Sequence, residues 1–159
     1  MFKVLFLSLL IITNLFSEVK NELFILPNQG KELDERIENL IDSSKNEIII
    51  AMYNFSHKEI LKKLKDSSKK GVKILLILDE EKYKENKKLI KELEEDNVKI
   101  IIPKDKMHMK VAIFDNKFLL MGSMNWTKES FKENYELIMI NNDAEIILKL
   151  TNYLKNSKF

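Results

Sequence analysis

The run Val72-Lys73-Ile74-Leu75-Leu76-Ile77-Leu78 most narrows the folds open to this chain. Its aliphatic residues follow one another without polar alternation, so a strand built from them must be buried on both faces, as in parallel sheets flanked by helices. The neighbouring sequence supplies such a setting. A short strand at Leu23–Leu26 stops at Pro27, and Leu33, Ile37, Leu40 and Ile41 then recur at helical spacing. A strand is expected from Glu47 to Phe55. Ser56 and Glu59 have capping-box spacing, which predicts a helix through Ile60, Leu61 and Leu64 to Gly71. After the aliphatic run come a charged helix at about Lys82–Asp96 and a strand at Val98–Ile102 ending at Pro103. Two strands, His108–Asp115 and Phe118–Gly122, read as a hairpin turning at Asn116-Lys117. A strand at about Tyr135–Ile140 and a helix at Ala144–Leu154 close the chain. The pattern predicts an α/β class fold, an α-β-α sandwich with a mixed, largely parallel central sheet and helices on both faces.

Residues 1–18 stand apart. Lys3 precedes an apolar stretch from Val4 to Phe16, with the small residue Ser17 after it, as in a secretory signal peptide. Leu15 is not the small residue expected three positions before a cleavage point, so an uncleaved N-terminal membrane anchor is the alternative. Either implies export, to the periplasm or the medium, with residues 19–159 as a single catalytic domain. In a chain of 159 residues there is room for one such domain and not two. The absence of cysteine excludes disulfides, thiolate metal sites and a cysteine nucleophile. The 27 basic and 25 acidic residues nearly balance, so overall charge does not mark a nucleic-acid binder.

Chemistry-bearing residues concentrate in the hairpin: His108-x-Lys110, four residues, Asp115, six residues, Gly122-Ser123-x-Asn125. His108 and Lys110 are two apart and leave the same face of one strand. This array resembles the HxK(x)4D(x)6GSxN signature of the phospholipase D superfamily, with each specified position present at the family's spacing. Ala51-Met-Tyr53-Asn-Phe55-Ser56, Lys70-Gly71-Val72 with Asp79 ending its strand, and Asn134-Tyr-Glu136 resemble the flanking parts of a single-motif, bacterial Nuc-type endonuclease.

A phosphodiester is an anion whose displacement spreads further charge over its non-bridging oxygens, so cations and hydrogen-bond donors are needed around it. His108 is expected to attack phosphorus and form a phosphohistidine. Lys110 would hold the phosphate oxygens as a point charge, Ser123 and Asn125 would donate hydrogen bonds, and Gly122 would let backbone approach the anion. The resemblance gives Glu136 the task of orienting the histidine ring. Asp115 is expected to support the turn, and Ser123 and Asn125 are otherwise turn residues. Trp126 and Thr127 are weak substrate-binding candidates, an aromatic after a strand being more often core. His57 reads as a surface or capping-turn residue. No metal or other cofactor is expected, because two histidines at unrelated places make no ligand cluster.

Expulsion of the leaving alcohol calls for a general acid. In the family two such motifs meet at one site and each supplies a histidine, so the resemblance implies a homodimer. For substrate, the architecture resembles nucleases acting on DNA or RNA. Between Pro103 and Lys132, Lys104, Lys106, Lys110, Lys117, Lys128 and Lys132 outnumber Asp105, Asp115 and Glu129. A lipid phosphodiesterase acting on cardiolipin or another phospholipid is the alternative, with membrane association through the N-terminal segment. An inactive nucleic-acid-binding module is the third possibility, whose signature would be loss of the histidine, lysine or asparagine.

Overall fold

A computed structural model describes residues 18–93, 97–157 and 159. In chain order the elements are β1 (Asn21–Leu26), α1 (Gly30–Ser43), β2 (Glu47–Met52), α2 (Lys58–Lys69), β3 (Lys73–Leu78), α3 (Glu80–Glu85), α4 (Lys87–Lys91), β4 (Val98–Ile101), β5 (Lys110–Phe114), β6 (Phe118–Gly122), α5 (Lys128–Lys132), β7 (Glu136–Asn141) and α6 (Ala144–Asn156). One sheet runs in the order β1-β7-β6-β5-β2-β3-β4. The expected signal or anchor segment at residues 1–18 lies almost wholly outside the described residues. Among the described residues no helix is long and apolar enough to cross a membrane.

The aliphatic run does form a strand covered on both faces. Ile74, Leu76 and Leu78 of β3 enter the larger core, while Ile77 enters a smaller one with Leu75 packed against it. β2 divides in the same way, Ile48, Ile50 and Met52 to one side and Ile49 and Ala51 to the other. The larger core lies under α1, α2, α4 and α5, through residues such as Leu33, Ile37, Leu64, Ile90 and Phe131. The smaller core lies under α6, through Ile147 and Leu154.

The sheet is mixed, as expected, but its parallel part is confined to β2-β3-β4. β2 meets β5, and β5, β6, β7 and β1 follow one another, in antiparallel pairs. The mixed sheet flanked by helices is as expected, but only two of its six strand pairings are parallel. A parallel neighbour needs a crossover long enough to hold a helix, which α2 supplies between β2 and β3 and α3 with α4 between β3 and β4; β5 and β6 are joined by a tight turn, and the α5 connection leads from β6 into an antiparallel neighbour all the same. Chain order also conceals that β1 lies at the far edge beside β7.

Local expectations shift by small, explicable amounts. The helix expected over Lys82–Asp96 begins earlier, at the Asp79 cap, and is interrupted at Asn86, whose side-chain amide donates to the Lys82 carbonyl at 3.0 Å and to Asn54 Oδ1 at 3.2 Å; residues 94–96 lie outside the described set. α2 is capped by His57 and not by Ser56, with Ile60 N–H directed at His57 Nδ1 at 3.5 Å. His57 is buried, 8% exposed, beneath the Phe131 ring and 3.9 Å from Asp34, which corrects the surface alternative.

The hairpin turns one residue earlier than expected. Asp115 and Asn116 have φ of 51° and 54°, and Lys117 N–H donates to the Phe114 carbonyl at 2.9 Å. A two-residue turn with both central residues left-handed matches the twist of the flanking strands, and Asp and Asn tolerate that conformation best after glycine. The Asp115 carboxylate also accepts N–H bonds from Lys45, Asn46 and Glu47 at 2.8, 2.8 and 2.9 Å, tying the turn to the start of β2. Burial pushes its pKa up, but these backbone bonds and nearby Lys117 outweigh it and hold the carboxyl below its ordinary value. Asp115→Ala should cost about 2 kcal/mol at neutral pH, combining lost hydrogen bonds with left-handed strain. A carboxyl with a depressed folded pKa stabilises fully above its unfolded value near ~3.9 and loses that contribution as pH falls through the folded value. The stability gap between wild type and variant, measured by urea unfolding, should therefore narrow only below about pH 4; a gap unchanged down to pH 2 would contradict this account.

Candidate active site

The motif residues gather along one edge of the sheet because adjacent strands run in opposite directions. β2, β3 and β6 end there, while β5 and β7 begin there. Tyr53 follows β2, Asp79 follows β3, His108 lies two residues before β5 where a strand was expected to have begun, Lys110 opens β5, Ser123 and Asn125 follow β6, and Glu136 opens β7. Strand ends that carry the chain into loops are where an α/β sheet exposes side chains to a ligand.

His108 is exposed and Lys110 half-buried. The Lys110 ammonium donates to the His108 carbonyl at 3.0 Å and lies 3.4 and 3.5 Å from the two ring nitrogens. Tyr53 packs on the same imidazole, its ring 4.6 Å away and tilted by 56°. Three ammonium groups surround that tyrosine ring: Lys110 at 5.1 Å, Lys106 at 5.5 Å and Lys82 at 6.0 Å. Lys82 also pairs with Glu85 at 2.7 Å. Burial lowers the pKa of Lys110, with like-charged Lys106 acting the same way and Glu136 opposing.

The Ser123–Glu136 pair departs from expectation. Ser123 Oγ donates to Glu136 Oε2 and accepts from Leu137 N–H at 3.1 Å, while Asn134 Nδ2 approaches Glu136 Oε1 at 3.4 Å. The Ser123 hydroxyl proton is thus engaged by a carboxylate on the adjacent strand, a stronger acceptor than a neutral oxygen, and is not directed outward. Within one chain Glu136 is bonded to Ser123 and Asn134 in place of the His108 ring. Asn125 is half-buried, and its Oδ1 is buried without a hydrogen-bond partner among the described residues, a costly arrangement away from a ligand.

Three further expectations need correction. Gly122 serves a close approach, but of protein and not of an anion: a Cβ there would lie 2.2 Å from the Leu137 carbonyl oxygen. Trp126 is 0% exposed and packs edge-on against Phe55 at 5.2 Å, so it is core and out of reach of substrate. Thr127 caps α5, its hydroxyl accepting from Ser130 N–H at 3.2 Å. Both belong to the scaffold of the Asn125 loop, as does the Trp126 carbonyl, which accepts from the N–H groups of Ser56 and His57 at 2.9 Å.

Two contributors stood in the upstream segments without a role assigned to them. Tyr53 lies outside the hairpin, and only tertiary packing brings its ring to His108. Asp79 accepts from Glu81 and Lys82 N–H at the start of α3 and, through its other oxygen, from Met107 N–H at 3.2 Å, which anchors the residue preceding His108. Its place at the end of a buried strand was the available signal. Among the described residues no cluster of three or more His, Asp or Glu side chains is arranged to hold a metal.

This edge presents an exposed imidazole, an adjacent ammonium and an amide, which suits nucleophilic attack at an anionic phosphorus centre. The family described as cardiolipin synthase, PLD-like domain, matches residues 37–158. The phospholipase D of Rickettsia conorii is 32% identical over 124 residues, covering 76% of this chain and 60% of that one. The mouse mitochondrial cardiolipin hydrolase is 26% identical over 124 residues, 77% of this chain and 56% of that one. The chain thus spans somewhat under two thirds of the length of these relatives. NucT from Helicobacter pylori superposes with a TM-score of 0.81 at 34% identity, over 87% of this chain and 94% of that one. Nuc from Salmonella typhimurium shares the fold, with a TM-score of 0.71 at 23% identity over 87% and 93% of the two chains. On this match across most of its length, joined to the mixed sheet and the residues at its edge, the chain belongs to the phospholipase D superfamily, in its small Nuc-type form.

Proposed function

We propose that the protein hydrolyses phosphodiester bonds of nucleic acid through a phosphohistidine on His108, without a metal ion. The observation that carries this reading is the exposed His108 ring in contact with both the Tyr53 ring and the Lys110 ammonium. A ring nitrogen attacks phosphorus, the P–O bond to the leaving alcohol breaks, and that oxygen takes a proton from a general acid; water then attacks phosphorus, giving its proton back to that group, and the P–N bond to His108 breaks. Lys110 and the Asn125 amide stabilise the charge on the non-bridging oxygens.

The general acid is the reason for proposing a homodimer. The chain's other histidine, His57, is buried in a helix cap and cannot reach the leaving group. His108 of a second copy can supply the proton, and across such an interface a Glu136 carboxylate could orient the opposing ring. An apolar sheet surface continues from Glu136 through Leu137, 54% exposed, to its partner Ile25, 53% exposed, and supports burial against another subunit. A monomer with full activity in sedimentation and rate measurements would refute the dimer.

Nucleic acid is favoured over lipid by the lysines around Tyr53 and by likeness to NucT over nearly all of that chain. The lipid alternative draws on relatives named for phospholipids and on the apolar surface just described. Export through residues 1–18 suits either substrate. The deciding experiment is hydrolysis of labelled single- and double-stranded DNA, RNA and cardiolipin vesicles by the purified full-length protein in EDTA. Cutting of nucleic acid at an undiminished rate is expected. Cleavage of cardiolipin alone would install the lipid reading, EDTA-sensitive cutting would refute a metal-free site, and inactivity on every substrate would favour a binding module.

A further inference from the structure

Beside His108 lies a cavity of about 650 Å³, bounded by the loop between β4 and β5 and by the end of α6. That volume falls within the range of sites that hold a small organic group. Its α6 side carries two aromatic rings, Tyr153 and Phe159, edge to face at 6.3 Å. Tyr153 is 52% exposed, so its ring does little for the core and much of its surface stays available. The loop side carries Lys104 and Lys106 with one acid, Asp105, between them. Lys106 also lies 5.5 Å from the centre of the Tyr53 ring, which packs on His108, and so joins the cavity to the reaction centre.

An aromatic platform next to cationic side chains is the combination by which proteins hold unpaired nucleic acid: the π-face of any base stacks, and the backbone follows the charges. We infer that this cavity is the subsite for the nucleoside adjoining the scissile phosphate of a single strand, with the base on Tyr153 and the next phosphate on Lys104 and Lys106. The inference rests on the nuclease reading and deepens it. Because a base stacked within a duplex has no free face to lay on Tyr153, the site selects unpaired strands over duplex. Cardiolipin would bring a second phosphate but no base, and nothing in it would stack on Tyr153.

The test compares two substrates of equal length and charge, an oligothymidylate and a fully abasic strand, cut by wild type, Tyr153→Ala and Tyr153→Phe. With wild type, KM for the abasic strand should be about tenfold above that for oligothymidylate. In Tyr153→Ala, KM for oligothymidylate should rise about tenfold and the ratio should collapse toward one, while Tyr153→Phe should keep the ratio. Circular dichroism of each variant checks the fold. If wild type cuts both strands with equal KM, or Tyr153→Ala keeps the tenfold ratio, the subsite is overturned while the nuclease reading stands. If wild type cuts neither strand, both are overturned together.

Discussion

His108→Ala is expected to lower turnover by about 10⁴-fold or more, the scale at which removal of a covalent nucleophile is felt. The fold should be nearly indifferent to the change. His108 is exposed, and its ring touches Tyr53 and the Lys110 ammonium instead of filling a core position. Unfolding free energy should therefore move by no more than about 0.5 kcal/mol. Urea unfolding beside initial rates separates the two effects. A purified, folded variant retaining a tenth of the wild-type rate would remove His108 from the mechanism.

Gly122→Ala should be the most damaging single-methyl change near the site. The added Cβ would meet the Leu137 carbonyl oxygen at 2.2 Å and the Ile138 Cα at 2.9 Å, both backbone atoms of the neighbouring strand. No rotamer relieves such a clash; β6 and β7 must part. Overpacking of this kind costs about 1–3 kcal/mol, which lowers Tm by roughly 3–10 °C in a domain of this size. The same displacement separates Ser123 from Glu136 and Leu137, so the rate should fall as well. A thermal melt indistinguishable from wild type would show that the strands yield more readily than their spacing implies.

What could be read in advance divides along physical lines. Strand β3 was legible because an unbroken aliphatic run has few homes other than a doubly covered strand. The antiparallel pairing of β5 with β6 followed from the hairpin, but the pairings of β2 with β5, β6 with β7 and β7 with β1 did not, because periodicity reports burial and says little about neighbours. The closeness of Lys110 to His108 followed from their spacing, although His108 lies two residues before β5 and not on it, and Asp115 followed from turn chemistry. The partners of Ser123 and Glu136 did not, since whether a hydroxyl serves a substrate or a carboxylate depends on the distance between strands. Trp126 and Thr127 lie next to the site in sequence, yet packing turns one into the core and the other onto a helix start. Tyr53 shows the reverse. It is distant in sequence, and the antiparallel pairing of β2 with β5, extended by Tyr53 N–H to the Met109 carbonyl at 2.9 Å, places its ring against His108.

The central claim is a covalent bond between His108 and phosphorus, and trapping that bond tests it most directly. The protein would be mixed with an internally ³²P-labelled oligonucleotide in EDTA, quenched within a single turnover at alkaline pH, and digested for mass spectrometry. The account predicts label on the one peptide containing residue 108, stable to base and released by acid, and no label in His108→Ala. Turnover without labelled protein at any quench time, or label on another residue that persists in the variant, would contradict it.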